Sequence, residues 1–234
     1  MRRNLLVFII GIIICSCELT YEDNTRLLVD GQVISFESTV IPELPVDVYA
    51  LGTFTSFPSR REQVALIGES KLRSDGQYQV ITISPENSDF ISVAINDIGK
   101  NGHNAFWPTL EINGLQPFSL ENFKYQVPDI AIGPLENTSV LINRVANMQD
   151  TLSYGISYNS TLKEVNLNFG EFDDEVFQRQ LFGELYPSDM TREIPLRIIQ
   201  GDSIKISYSL INNGIVGRGE IKIQYNTDGY TFDF

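Results

Sequence analysis

Residues 204–223 read Ile-Lys-Ile-Ser-Tyr-Ser-Leu-Ile-Asn-Asn-Gly-Ile-Val-Gly-Arg-Gly-Glu-Ile-Lys-Ile, and they decide the fold class. Apolar and polar side chains alternate on both sides of Asn213-Gly214, the pattern of two strands that each bury one face. Asn-Gly suits a two-residue type I′ turn, because both central residues need positive φ. That turn fixes a register: Asn212 pairs with Ile215, Tyr208 with Gly219, Ile206 with Ile221 and Ile204 with Ile223, so the paired isoleucines share a face. Tyr208 stands opposite a glycine, which leaves room for its ring. Lys205 falls opposite Lys222, an unfavourable pairing that Glu220 on the diagonal softens. A slip of one residue sets Ile206 against Glu220 and spoils the apolar face.

The same style extends outward in both directions. Valine, isoleucine, phenylalanine, tyrosine and threonine recur in short runs separated by turn residues. Strands are predicted over residues 27–36, 45–51, 64–72, 77–83, 89–96 and 123–132, and again over 139–144, 151–158, 164–169, 194–199, 203–211 and 219–225, with 229–234 as a last strand. Helical spacing occurs at Asp174–Leu185, where Val176, Phe177, Leu181, Phe182 and Leu185 suit one face, and a short helix is expected there. Pro134 and the polar run Glu136-Asn137-Thr138 mark a join. The expected architecture is all-β: two consecutive antiparallel β-sandwich domains, over 26–133 and 134–234.

The turn at Asp75-Gly76 has two possible registers. A two-residue loop sets Tyr78 opposite Arg73, whereas a three-residue loop over Ser74, Asp75 and Gly76 sets Tyr78 opposite Leu72 and Val80 opposite Ser70. The second keeps charge off the apolar face and places Gly76 where a left-handed backbone is needed. With this turn, three runs form a pattern: Val29-Asp30-Gly31-Gln32-Val33, then Leu44-Pro45-Val46-Asp47-Val48-Tyr49, then Ser74-Asp75-Gly76-Gln77-Tyr78-Gln79-Val80. Together they resemble the carboxypeptidase regulatory-like, or transthyretin-like, β-sandwich over roughly residues 26–100. The resemblance implies a structural or binding module with no catalytic residues. The segments Gly52–Gln63 and Gly99–Gln116 are longer than a minimal member of that family needs.

The N-terminus carries a different message. Arg2 and Arg3 precede an apolar run from Leu5 to Ile14, which is the layout of a secretion signal and too short for a spanning helix. Ile14-Cys15-Ser16-Cys17 resembles the lipobox of bacterial lipoproteins. The resemblance implies a signal peptide at 1–16, acylation of Cys17 and a lipidated tether over 17–25. The alternative is an ordinary cleaved signal with two incidental cysteines. Asp150-Thr151-Leu152 and Asp202-Ser203-Ile204 look like the O-glycosylation signal of Bacteroidota, in keeping with an envelope lipoprotein of that phylum, lipid-anchored at the outer membrane.

Composition narrows the chemistry. Both cysteines lie in or beside the signal, so the mature chain has no pair for an internal disulfide. The formal charge is −13, with 30 acidic and 17 basic residues. A chain this acidic does not track nucleic-acid phosphates. The single histidine, His103, excludes a His/Cys zinc site and leaves it as the one base for a Ser-His-Asp triad; no Gly-x-Ser-x-Gly accompanies it. It lies in Gly99-Lys-Asn-Gly-His103-Asn-Ala-Phe106-Trp107-Pro108. Phe106 and Trp107 beside Asn101, His103 and Asn104 form either a stacking platform for a sugar or a cap on the first core, and the cap is favoured. Asp97–Gly102 fails as a calcium loop, because its third and twelfth positions are Gly99 and Pro108. Glu171, Asp173, Asp174 and Glu175 read as a solvated loop or helix start, with a calcium site or a hydrolytic carboxylate pair as alternatives. No cofactor and no metal is expected. The expected partners are a membrane, through the N-terminal lipid, and another envelope protein. A glycan at the Asn101–Trp107 loop is the alternative, and a hydrolase the last.

Overall fold

A computed structural model describes residues 21–36, 39–56, 59–85, 90–115, 123–145, 149–168, 171–173, 176–212, 215–225 and 229–234. The expected signal at 1–16, Cys17, Asp174, Glu175 and the turn residues Asn213 and Gly214 lie outside the described residues. The described chain is nearly all strand, without an α-helix. In order these are β1 (Tyr21–Ser35), β2 (Pro45–Ser56), β3 (Ser59–Lys71), β4 (Gln77–Pro85), β5 (Phe90–Ile95), β6 (Thr109–Leu115), β7 (Lys124–Gln126), β8 (Ile130–Ile132) and β9 (Leu135–Asn143). They continue as β10 (Thr151–Tyr158), β11 (Leu162–Asn168), β12 (Glu171–Phe172), β13 (Arg179–Leu185), β14 (Thr191–Ile199), β15 (Ile204–Asn212), β16 (Ile215–Ile223) and β17 (Tyr230–Asp233).

Four sheets enclose two apolar cores. A four-stranded sheet, β4-β1-β7 with β8 also on β1, faces a six-stranded sheet ordered β12-β11-β6-β5-β2-β3. Leu27, Val29, Tyr78 and Val80 from the first meet Val46, Val48, Ile91, Val93, Leu110 and Ile112 from the second. The second core lies between β13-β10-β15-β16 and β14-β9-β17, with Leu152, Ile156, Ile204 and Ile206 against Val140, Ile142, Ile198 and Tyr230. Alternation drives each layer. On β4, Tyr78, Val80 and Thr82 are buried while Gln77, Gln79, Ile81 and Ile83 face outward. Burying each such aliphatic side chain contributes about 1.5–3 kcal/mol.

The register of β15 and β16 is the one that Asn213-Gly214 dictates, pair for pair from Asn212↔Ile215 to Ile204↔Ile223. Lys205 does face Lys222, and its ammonium lies 3.0 Å from a Glu220 carboxylate oxygen. The aromatic-over-glycine pairing at Tyr208 and Gly219 recurs at Tyr78 and Gly31, at Tyr154 and Gly183, and at Phe182 and Gly155. In each case a Cβ on the glycine would stand 3.0 Å or less from the facing side chain.

The structure corrects five expectations. First, the expected helix over Asp174–Leu185 is absent from its described residues, 176–185: Arg179–Leu185 is a strand that hydrogen-bonds the edge of β10, with Leu185 in the core and Phe182 lying over Gly155. The apolar spacing there serves two faces of a strand rather than one face of a helix. Second, Asp75-Gly76 adopts the three-residue loop, with Arg73 N–H donating to the Gln77 carbonyl and Gly76 at φ 78°, but no hairpin follows. Leu72 instead bonds Leu44, β4 pairs with β1, and the turn carries the chain from one sheet to the facing one. Third, pairing is not purely antiparallel. β7 and β8 run parallel to β1, β11 to β6 and β17 to β9, as long connections permit and hairpins do not. Fourth, the long segment Gly99–Gln116 contains β6, a central strand of the six-stranded sheet. Finally, β1 begins at Tyr21, inside the expected tether.

Leu162–Asn168 is a strand near its expected place, yet it joins β6 of the first core rather than the sheets around it in sequence. Where it crosses, a buried polar network joins the two cores. Lys163 Nζ lies 2.5 Å from Asp202 Oδ1 and donates to the Ala131 carbonyl at 3.3 Å. Asn159, fully buried, donates to Asp202 Oδ2 at 3.3 Å and accepts from Gln178 N–H at 3.2 Å. Tyr230 donates its hydroxyl to the Asp202 carbonyl at 2.6 Å.

Candidate functional site

The outward face of the six-stranded sheet gathers most of the exposed polar chemistry near the first core. Because Val46, Val48, Ile91, Val93, Leu110 and Ile112 point inward, their alternates point out: Asp47 and Tyr49 on β2, Ser92 and Ala94 on β5, Glu111 and Asn113 on β6. β3 adds Glu69 opposite Asp47, and β11 adds Glu164 opposite Glu111. Two like-charged cross-strand pairs therefore lie on one surface, an arrangement that is unfavourable unless something offsets it.

Lys100 offsets the first pair. Its ammonium lies 3.6 Å from Asp47 and 3.3 Å from Glu69, and 5.8 Å from the centre of the Tyr49 ring. Asp47 is almost fully buried, with Oδ2 unpaired, and burial raises its pKa against the pull of Lys100. Tyr49 donates to Asp97 at 3.1 Å, and burial together with that bond pushes the phenol to about 12. The second pair is handled differently. Glu164 accepts from Gln178 at 2.7 Å and Asn113 at 3.3 Å, while among the described residues no salt bridge reaches Glu111. Burial, Glu164 and Asp97 together raise the pKa of Glu111. A shallow depression of about 370 Å³ lies between the pairs, with Tyr49, Leu51 and Val64 among its apolar lining and Asp97, Glu111 and Asn113 among its polar lining. Such a surface offers negative charge over an apolar floor, which suits a basic partner.

The histidine loop borders this face, and Asn96 builds it. Asn96 is fully buried at φ 61°. Its amide donates to the carbonyls of Trp107 at 2.9 Å, Asn104 at 3.0 Å and Pro108 at 3.2 Å, and its Oδ1 accepts the Asn104 N–H at 2.7 Å. Its own carbonyl accepts from Thr109 at 2.8 Å and from His103 Nδ1 at 3.0 Å, so Nδ1 carries the proton. Trp107 is 6% exposed and packs in the first core. Phe106 is 76% exposed and His103 half-buried. The loop also meets the second core's elements: Leu135 N–H donates to the Phe106 carbonyl at 2.7 Å and Arg197 to the Ala105 carbonyl at 3.0 Å. Nothing in the sequence pattern singled out Asn96; a polar residue ending an apolar strand was its only mark.

The other marked residues scatter. Glu171 and Asp173 are exposed on and after β12. Among the described residues no three His, Cys, Asp or Glu side chains are grouped to hold a metal ion. Ser203 is buried and Thr151 half-buried.

No protein-family model matches the sequence, and no curated protein does. Among solved structures the chain is similar to a streptococcal ancillary pilin, with TM-score 0.29 and 8% identity over 91% of this chain and 62% of that one. This chain thus spans under two thirds of that protein's length. It is also similar to the minor pilin GBS52 of Streptococcus agalactiae (TM-score 0.30, 10% identity, 89% of this chain and 94% of that one). The shaft pilin SpaA of Lactobacillus rhamnosus GG gives TM-score 0.27 and 8% identity over 89% and 96% of the two chains.

Proposed function

We propose that this chain is a lipid-anchored envelope protein of Bacteroidota type, a non-catalytic interaction module held at the outer membrane through Cys17. In this reading the first sandwich is of the carboxypeptidase regulatory-like kind. The partner is another envelope protein, and it docks a basic surface on the outward face of the six-stranded sheet. The observation that carries the docking is the pair Glu111 and Glu164, neighbours on adjacent strands with no cation between them among the described residues. A lysine or arginine supplied from outside relieves that repulsion, so the pair favours a cationic partner. The anchor rests on the Leu5–Ile14 run and on Cys17.

Two measurements test this reading. Mass spectrometry of the mature chain is expected to find an N-terminus at position 17 carrying diacylglycerol. Crosslinking in intact envelopes from Leu66, 40% exposed on the same face, is expected to capture one defined protein, and Glu111→Lys with Glu164→Lys to abolish the capture. Undiminished capture by that double variant rejects the docking surface. A second reading, a glycan held at the Asn101–Trp107 loop, keeps Phe106 as its exposed ring. Binding on a glycan array that Phe106→Ala leaves unchanged removes it, as does no binding at all.

A further inference from the structure

The two outward faces of the first sandwich differ sharply in charge. Among the described side chains, Asp47, Glu69, Asp97, Glu111 and Glu164 stand on the six-stranded side against Lys71 and Lys100. The four-stranded side is different. Outward from β1, β4 and β7 stand Arg26, Leu28, Asp30 and Gln32, then Gln77, Gln79, Ile81 and Ile83, then Lys124 and Gln126. Asp30 is the one acid among these positions, and Lys124 neutralises it at 2.9 Å. With Asp129 at its rim set against Arg26, the described part of this face is close to neutral in a chain of net charge −13. It is also greasy: Ile81 is 65% exposed, Ile83 52% and Phe123 52%. Phe123, at φ 54°, lies across β1 from them, its carbonyl accepting the Leu28 N–H at 3.0 Å.

The route of the chain says which surface covers these side chains. β1 begins at Tyr21, four residues after Cys17, so at most about 14 Å of extended chain separates the sandwich from position 17. Tyr21 pairs with Pro85 and Arg26 with Ile83, which puts Ile83 about 7 Å along β4 from the entry point. A sandwich on so short a leash must present one side to the surface that holds the leash. Anionic headgroups repel the acidic face far more than this near-neutral one. The isoleucines and Phe123 then reach the boundary between headgroups and acyl chains, where apolar side chains are stabilised.

We infer that the outward face of β4-β1-β7, through Ile81, Ile83, Phe123, Arg26 and Lys124, lies on the lipid surface, with the acidic face turned away from it. This rests on the lipid anchor proposed above.

The test uses the full lipidated protein in vesicles of phosphatidylethanolamine and phosphatidylglycerol, 3:1. Lipid blocks Cys17, so Ile83→Cys and, on the opposite face, Glu69→Cys each give one site for an environment-sensitive dye. Ile81→Cys is the second site on the inferred face, should Ile83→Cys fold poorly. Quenching by headgroup-attached nitroxide is expected to be roughly three-fold stronger at position 83 or 81 than at 69, because an interfacial face sits within ~5–10 Å of the headgroups. Equal quenching on both faces, with the protein co-floating with vesicles, overturns the inference and spares the anchor. Weak quenching at 83 with concentration-dependent self-association also overturns it, and assigns the face to a second copy. Failure to co-float removes the anchor, and the inference with it.

Discussion

Asn96→Ala should cost more stability than any surface change in this protein, and the structure sets the size. Asn96 is fully buried. Its two amide N–H groups are shared among the carbonyls of Trp107, Asn104 and Pro108, and Oδ1 takes the Asn104 N–H. Alanine strands these partners, and a buried group left unpaired costs about 1–3 kcal/mol. Allowing for water and relaxation, the lost bonds amount to roughly 3–4 kcal/mol. The backbone adds to this, because φ is 61° and a left-handed alanine costs a further ~1 kcal/mol. A total of about 4–5 kcal/mol should shift a urea midpoint by roughly 2 M at a slope near 2 kcal/mol/M. Trp107, the sole tryptophan and part of the first core, reports the transition by its fluorescence. Asn96→Gly makes the comparison decisive: it loses the same bonds without the left-handed cost, so it should be about 1 kcal/mol less destabilised than Asn96→Ala. Asn96→Asp keeps the shape but aims a carboxylate at three carbonyls and should be no better than alanine at pH 7. A loss below about 1 kcal/mol for Asn96→Ala, or glycine worse than alanine, refutes the role given to this residue.

Three further outcomes follow from the same geometry. Lys163→Met leaves Asp202 charged and poorly solvated, and should destabilise by about 3–5 kcal/mol with little dependence on salt; adding Asp202→Asn should restore part of that loss in chemical denaturation. Gly31→Ala forces a Cβ to within 2.5 Å of the Tyr78 hydroxyl deep in the core, whereas Gly219→Ala meets the half-buried Tyr208, whose ring has room to swing; thermal melts should show a loss of about 2 kcal/mol for the first and clearly less for the second. Glu111 has a raised folded-state pKa, so the folded chain holds that proton to higher pH than the unfolded one, and this group's contribution to stability falls as pH rises through the interval between them. Glu111→Gln should therefore stabilise the protein at pH 7 and make no difference near pH 3, as read by denaturant midpoints at both values.

How far the fold could be read from sequence depended on where the deciding contacts lie. The β15–β16 register was legible because turn chemistry and cross-strand isoleucines are both local. At Asp75-Gly76 the turn conformation was equally local and correct, but which sheet each flanking strand joins is decided by Leu44 and by β1, residues far away in the chain. The spacing in β13 mimics a helix because Leu181 and Leu185 are four apart under either geometry; only the distant Gly155, which makes a seat for Phe182, resolves it. β6 was hidden by Gly114, whose positive φ breaks the alternation a strand usually shows. At the candidate site, the burial of Trp107 was legible from its apolar surroundings. The acidic face was not, since Asp47, Glu69, Glu111 and Glu164 come together only when five strands are laid in order.

The passage of Leu162–Asn168 back to the first sheet has a mechanical consequence. The polypeptide crosses between the two cores at Gly133–Pro134, again near Asn159–Thr161, and once more near Asp173–Gln178. A pull that separates the two cores is therefore shared by three connections instead of hanging on a single link. The connections at 133–134 and 159–161 are two and three residues long, so the halves cannot move far apart while β11 stays on β6. Such threading ties the two halves together more firmly than a single linker would.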